Sequence, residues 1–127
     1  MSAGKRIVVA EDDRDIRDLV VRKLASAGHT VIGVGDGAAA LAAVRREAPD
    51  LAVLDVTMPG MTGIEVCQQI RGSDATERLP VILLTARVQD SDVESGFSAG
   101  ADDYVGKPFS PRELAERVAA VLKRASA

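Results

Sequence analysis

The chain has 127 residues, with 19 acidic and 16 basic side chains and a formal net charge of −3. One Cys and one His are too few for a zinc site or an internal disulfide. The single imidazole, His29, argues against a Ser-His or Cys-His hydrolase, and the slightly acidic balance argues against direct nucleic-acid binding. The length and the 46% hydrophobic content favour one compact domain, and no apolar run reaches the roughly 18 residues that cross a bilayer. No secretion signal is recognisable, so we expect a cytoplasmic protein.

Four short apolar runs predict β-strands. Each run is continuous instead of alternating, which is typical of strands that are buried on both faces of a parallel sheet. In chain order they are Ile7–Ala10, Thr30–Val34, Leu51–Leu54 and Val81–Leu84. A fifth segment, Asp103–Val105, is a candidate strand that is too short for the pattern alone to decide.

Helical patterns separate these strands. Apolar residues at i, i+3, i+4 and i+8 from Ile16, including Leu19, predict a first helix that ends at Gly28. Thr62 and Ser110, each followed three residues later by Glu, predict the starts of two more helices. The alternation of strand and helix therefore predicts an α/β domain with a parallel sheet and helices on both faces.

A further helix between Gln89 and Ala99 is predicted to be marginal. Its apolar anchors are Val93 and Phe97, and Gly96 lies inside it. Glycine in a helix interior costs about 1 kcal/mol relative to Ala.

Chemically active side chains follow the ends of the predicted strands. Glu11 and Asp12 follow the first, Asp55 the third, Thr85 the fourth and Lys107 the fifth. The carboxyl ends of parallel strands meet at one edge, so these groups should converge. Clustered carboxylates repel one another unless a cation is present, and hard oxygen ligands suit Mg²⁺. Such a cluster with a Lys and a hydroxyl describes a phosphoryl site in which a carboxylate can act as the nucleophile.

Each of these side chains also has an ordinary structural explanation. Asp13 could simply cap the first helix, and Asp55 could form a turn before Met58–Gly60. Thr85 could be a capping hydroxyl and Lys107 a solvated loop charge. Four such coincidences at one sheet edge are hard to sustain, so we favour the functional interpretation.

Four segments carry these side chains: Val8–Asp13, Leu54–Gly63, Leu84–Ala86 and Gly100–Phe109. At these spacings they resemble the receiver domain of two-component response regulators, of the chemotaxis-regulator type. The resemblance covers about Lys5–Arg124 and implies a single receiver domain over residues 1–127. It also implies a doubly wound (βα)5 flavodoxin-like fold with a five-stranded parallel sheet in the order 2-1-3-4-5.

The resemblance implies a role for each residue of the cluster. Asp55 matches the phosphoacceptor, and Asp12 and Asp55 match direct ligands of Mg²⁺, for which Mn²⁺ is an alternative ion. The backbone carbonyl of Thr57 matches a third ligand, and Glu11 matches the residue that holds a metal-bound water. Lys107 matches the side chain that pairs with the phosphoryl oxygens.

The resemblance also implies a conformational switch. Thr85 matches the hydroxyl that moves towards the phosphoryl group, and Tyr104 matches the aromatic residue that then turns inward. This repacks the face formed by the marginal helix, the fifth strand and the last helix. The Lys107–Pro108 bond is expected to be cis.

The implied partners are a sensor histidine kinase or a phosphotransfer protein and, downstream, a protein or an effector domain, without direct nucleic-acid or membrane binding. The domain would assist its own phosphorylation and dephosphorylation without being a turnover enzyme, as a monomer or a phosphorylation-dependent dimer. Asp102, Asp103, Glu113 and Arg117 resemble the dimerising face of winged-helix regulators. However, Val93 and Ser95 occupy the basic positions of that face, which removes the partner of Glu113.

Three alternatives remain open. The chain could be the excised input domain of a DNA-binding transcription regulator. It could be a phosphohydrolase of the haloacid dehalogenase type, although such enzymes generally have a second Asp, the general acid, at the position that Thr57 occupies here. It could also be a flavodoxin-like flavin binder, although Glu11 and Asp12 would repel a phosphate at the first strand end.

Overall fold

A computed structural model describes residues 4–86 and 97–126 of the chain. The strands are β1 (Arg6–Ala10), β2 (Thr30–Val34), β3 (Leu51–Asp55), β4 (Val81–Thr85) and β5 (Asp103–Gly106). The helices that lie wholly within the described ranges are α1 (Arg14–Ser26), α2 (Gly37–Glu47), α3 (Gly63–Arg71) and α4 (Pro111–Ala125). Every predicted strand is present to within one residue at each end. The predicted marginal helix falls, as far as Gly96, outside the described residues.

The five strands form one parallel sheet in the order β2-β1-β3-β4-β5. This order confirms the predicted doubly wound fold. Ala10 pairs with Leu54, so Glu11 and Asp55 end adjacent strands at the same level. Thr85 pairs with Gly106, which brings Lys107 to the same edge.

The sheet separates two apolar clusters. Val8 and Leu54 point to the face covered by α2 and α3, whereas Ile7 and Val9 point to the face covered by α1 and α4. Alternation of side chains along each strand produces this division. The central strands are therefore buried on both faces, as their continuous apolar runs predicted. None of the helices in the described ranges combines the length and apolar character that crossing a bilayer requires.

The helix starts follow the capping rules. The carboxylate of Asp13 accepts hydrogen bonds from the backbone N–H groups of Asp15 and Ile16, so the capping explanation of Asp13 is confirmed. Thr62 forms a reciprocal capping box with Glu65. The Ser110 hydroxyl accepts from the Glu113 N–H, with Pro at the first helical position.

Gly63 sets the contact between α3 and the end of β3. A Cβ at this position would overlap the carbonyl oxygen of Asp55. Only glycine permits this approach, so the start of α3 is packed directly against the residue that ends β3.

Arg71 connects the end of α3 to two loops at the opposite edge of the sheet. Its guanidinium donates to the carbonyl oxygens of Leu79 at 2.6 Å and Gly100 at 2.7 Å. It also donates to the Asp102 carboxylate at 3.0 Å, and Asp102 accepts from the Val81 N–H at 2.8 Å. One side chain therefore fixes the loop before β4 and the turn before β5.

We predict that Arg71→Ala lowers the free energy of unfolding by about 2–3 kcal/mol, because several hydrogen bonds to a charged group are lost together. Arg112→Ala is the matched control, since Arg112 pairs with Glu116 while its side chain is 83% exposed. The control should change stability by less than about 0.5 kcal/mol. Urea denaturation of both variants checks this, and equal losses would contradict the assignment.

Candidate functional site

The buried polar side chains among the described residues lie together at the carboxyl edge of the sheet. Glu11, Asp55 and Thr85 are only 0%, 2% and 3% exposed. Carboxylates are rarely buried unless they are paired, because removing their charge from water is costly. Their burial at the ends of three strands indicates a built site.

Three carboxylates converge at this edge. Oxygens of Glu11, Asp12 and Asp55 all lie within 4.8 Å of one another. Asp12 is exposed at the rim, whereas the other two are buried. Two carboxylates about 4 Å apart repel by about 4 kcal/mol at an effective dielectric of 20. The predicted convergence is thus present, and the cluster needs positive charge.

Lys107 supplies positive charge from the loop after β5. Its Nζ donates to Asp55 Oδ2 at 2.8 Å and lies 2.6 Å from Glu11 Oε1. The backbone N–H of Lys107 donates to the Thr85 carbonyl at 2.6 Å, and the following bond to Pro108 is cis, as expected. Burial opposes the charged form, but the bonds to Asp55 and Glu11 outweigh it and raise the pKa of Lys107. The amine therefore stays protonated.

Backbone amides hold the remaining carboxylate oxygens. The Asp13 N–H donates to Glu11 Oε2, and the Thr57 N–H donates to Asp55 Oδ1, each at 3.2 Å. Thr57 itself is exposed beside the cluster. The role of the Thr57 carbonyl oxygen as a metal ligand stays a prediction.

The ionisation of Glu11 reflects the crowding. Burial and the neighbouring Asp55 carboxylate raise the pKa of Glu11 from 4.5 to about 7. The contacts with Lys107 and the Asp13 N–H act in the opposite direction without cancelling this rise. A proton therefore remains in the cluster near neutral pH when no cation is bound.

The donor set fits a hard divalent cation. Three carboxylates provide oxygen ligands, and one of the three is exposed and so leaves room for waters. Glu11 Oε1 is buried and has no hydrogen-bond partner in the part of the chain that the structure describes, because its close contact with Lys107 is an ion pair without hydrogen-bond geometry. An acceptor of this kind suits a metal ion or a water that a metal ion holds.

The predicted switch residues lie on the two neighbouring strands β4 and β5. Thr85 ends β4 beside the acidic cluster, and Tyr104 lies on β5 opposite Leu83. Tyr104 is half-buried, and its ring centroid lies 6.4 Å from that of Phe97. The placement suits the switch, which stays a prediction.

The residues of the predicted dimer face have contacts within the chain. Asp102 is bound to Arg71, and Asp103 accepts from Arg117 at 3.1 Å. Glu113 is exposed on the first turn of α4. Val93 and Ser95, on which the argument against this face rested, lie outside the described residues, so the dimer stays a prediction.

An apolar surface that the sequence did not reveal borders the site. Leu19 belongs to the apolar pattern that predicted the first helix, yet its side chain is 55% exposed. It lines an open recess of about 410 Å³ together with Ile16, Pro108 and Phe109, and Lys107 forms one wall. In the sequence, only the position of Leu19 at the edge of the apolar side of α1 could have indicated this exposure.

Known proteins match this chain over most of its length. Residues 7–119 match the family model described as the response regulator receiver domain. The DNA-binding response regulator MtrA of Mycolicibacterium smegmatis is 44% identical over 120 residues, which are 94% of this chain and 51% of MtrA. The chain therefore spans about half the length of this relative.

Two solved structures resemble the whole described fold. The BeF3-activated DrrB receiver domain is 38% identical with a TM-score of 0.84, covering 94% of this chain and 98% of that one. The receiver domain of the sensor histidine kinase PA1611 from Pseudomonas aeruginosa PAO1 is 30% identical with a TM-score of 0.87, covering 95% and 99%. That structure has a magnesium ion coordinated in its active-site cleft.

We predict that the metal-free protein loses stability as the pH rises from about 4.5 to about 7. In this range the unfolded chain releases the Glu11 proton while the folded chain retains it, because the folded-state pKa is raised, and the loss is at most about 3 kcal/mol. Above pH 7 this contribution is constant. Urea denaturation in the presence of a chelator should show the decline in the wild type and a flatter profile in Glu11→Gln; parallel profiles would contradict the assignment.

Proposed function

The chain belongs to the response regulator receiver domain family, and we propose that it accepts a phosphoryl group on Asp55 from the phosphohistidine of a sensor histidine kinase or a phosphotransfer protein. The observation that carries this proposal is the buried Asp55 carboxylate, bonded to Lys107 within an acidic cluster. As a receiver domain, the protein acts in two-component signal transduction.

The proposed transfer uses the Asp55 carboxylate as the nucleophile. One of its carboxylate oxygens forms the bond to phosphorus as the bond between phosphorus and the donor histidine nitrogen breaks, and the imidazole leaves. Lys107 remains at the site to neutralise the phosphoryl oxygens, and the Thr57 N–H holds the other end of the carboxylate. The transfer therefore depends on positioning and charge neutralisation.

Glu11, Asp12 and Asp55 are the residues that would hold Mg²⁺, or Mn²⁺ in its place. A bound divalent ion supplies electrostatic stabilisation of the charge on the transferring oxygens. The magnesium ion in the P. aeruginosa receiver domain supports this assignment. Without the ion, the mutual repulsion of the carboxylates and the negative phosphoryl group would oppose transfer.

The phosphorylated state would be transmitted through β4 and β5. The Thr85 hydroxyl moves to the new phosphoryl oxygens, and Tyr104 occupies the space that Thr85 leaves. The output surface would then include β5 and α4. Through it the domain would control a downstream protein or an effector domain, as a regulator in the cytoplasm and not as a turnover enzyme.

The apolar recess beside Lys107 is suited to the phosphoryl donor. A donor that brings its histidine to Asp55 must cover the rim of the site, and Leu19 and Phe109 are the apolar groups next to that rim. Exposed apolar patches of this kind commonly mark protein contacts. We therefore place the donor contact on α1 and the loop before α4.

A second candidate concerns the whole protein. MtrA is a DNA-binding response regulator, and the match covers about half of it. This favours a role for residues 1–127, with a core of about 5–124, as the single receiver domain that controls a DNA-binding domain. DNA binding would then belong to the other domain.

We predict that Asp55→Asn abolishes phosphorylation by acetyl phosphate in the presence of Mg²⁺, because the nucleophilic carboxylate is lost. Asp13→Asn is the matched control, since an Asn side chain can still cap α1. Intact-protein mass spectrometry should detect one added phosphoryl group in the wild type and the control only. Persistent uptake by Asp55→Asn would place the acceptor elsewhere.

We predict that Thr85→Ala still takes up phosphate yet fails to move Tyr104. The chain has one Tyr and no Trp, so the intrinsic fluorescence of the protein reports on Tyr104. Beryllofluoride with Mg²⁺ should change this fluorescence in the wild type and leave it nearly constant in Thr85→Ala. Equal changes in both proteins would refute the switch.

A further inference from the structure

Arg17 contacts the backbone of the acidic cluster from α1. Its Nη1 donates to the carbonyl oxygen of Glu11 at 3.0 Å. The side chain is partly buried, in contrast to that of Arg14, which is exposed on the same helix. Arg17 therefore reaches the main chain at the point where β1 ends and the acidic residues begin.

Gly35, directly after β2, leaves room for the guanidinium of Arg17. A Cβ at Gly35 would lie 2.7 Å from Arg17 Nη1. This distance is shorter than a normal contact, so a side chain there would displace the guanidinium. The absence of a side chain at Gly35 thus lets Arg17 reach the end of β1.

Both backbone groups of Glu11 are held. Its N–H donates to the Val34 carbonyl at 3.0 Å, and its carbonyl accepts from Arg17. This fixes the peptide plane between Glu11 and Asp12. Within the described ranges no residue forms a hydrogen bond or an ion pair with the Asp12 carboxylate, so its direction depends on the backbone that carries it.

We propose that Arg17 is a positioning residue for the metal ligands, and that it tightens Mg²⁺ binding by fixing the Glu11–Asp12 peptide. This inference rests on the proposed function, because it requires that the acidic cluster binds Mg²⁺. Residues that orient metal ligands through hydrogen bonds typically change metal affinity by about 10–100-fold when they are replaced.

The sign of the effect separates positioning from simple electrostatics. Removing a positive charge near a cation site should by itself raise cation affinity. Loss of positioning should lower the affinity, despite the same loss of charge. Arg17→Ala and Arg14→Ala each remove one positive charge from the first turn of α1, so Arg14→Ala is a control for the loss of a charge without loss of the contact with Glu11.

The test is titration of the metal-free proteins with Mg²⁺ alone by isothermal titration calorimetry. Arg17→Ala should bind Mg²⁺ about 10-fold more weakly than the wild type, Arg17→Lys should recover part of the loss, and Arg14→Ala should bind equally or more tightly. An Arg17→Ala affinity that equals or exceeds that of the wild type would overturn the inference. Absence of Mg²⁺ binding by the wild type would overturn the proposed metal site as well.

Gly35→Ala tests the same contact while leaving the Arg17 side chain in place. It should weaken Mg²⁺ binding in the wild-type background, because the new methyl group displaces the guanidinium. The same substitution should have no further effect in Arg17→Ala. Wild-type affinity in a folded Gly35→Ala variant, or additive losses in the double variant, would contradict the role of Arg17.

Discussion

The mutual repulsion of three carboxylates at one edge of the sheet is the constraint around which the site is built. Glu11, Asp12 and Asp55 are brought within reach of one another by strand geometry, and two of them are removed from water. Lys107 offsets part of this charge, backbone amides hold individual oxygens, and a proton remains on the cluster near neutral pH. These contacts together offset the repulsion between the three carboxylates.

The parallel register makes this crowding unavoidable. Ala10 lies opposite Leu54, so Glu11, the residue after β1, lies level with Asp55, the last residue of β3. The strands cannot slip by one residue without exchanging their two apolar faces, because each face is packed against a different pair of helices. The apolar cores therefore determine the distance between the acidic residues, and the burial that stabilises the fold also positions the site.

Much of the fold and most of the site could be predicted from local patterns. Continuous apolar runs are typical of strands that are buried on both faces, and the residues that follow parallel strands meet at one edge of the sheet. The proximity of Asp55 and Lys107 could therefore be predicted from the sequence. The contacts of Arg17 and Arg71 could not be predicted, because each depends on how a long side chain crosses to a distant segment. The exposure of Leu19 could not be predicted for a related reason. Periodicity shows which side of a helix is apolar, but it does not show how much of that side the neighbouring strands and helices cover.

The ion pairs of Lys107 join parts of the sheet that backbone hydrogen bonds leave separate. β5 is a four-residue edge strand that pairs only with β4, yet Lys107, directly after it, contacts Glu11 after β1 and Asp55 at the end of β3. These contacts connect the end of the edge strand to the centre of the sheet, and Tyr104 lies three residues before Lys107. Any change of charge at the acids alters these contacts directly, so chemistry at the centre of the sheet also acts on the end of its edge strand, in addition to the proposed movement of Thr85 and Tyr104.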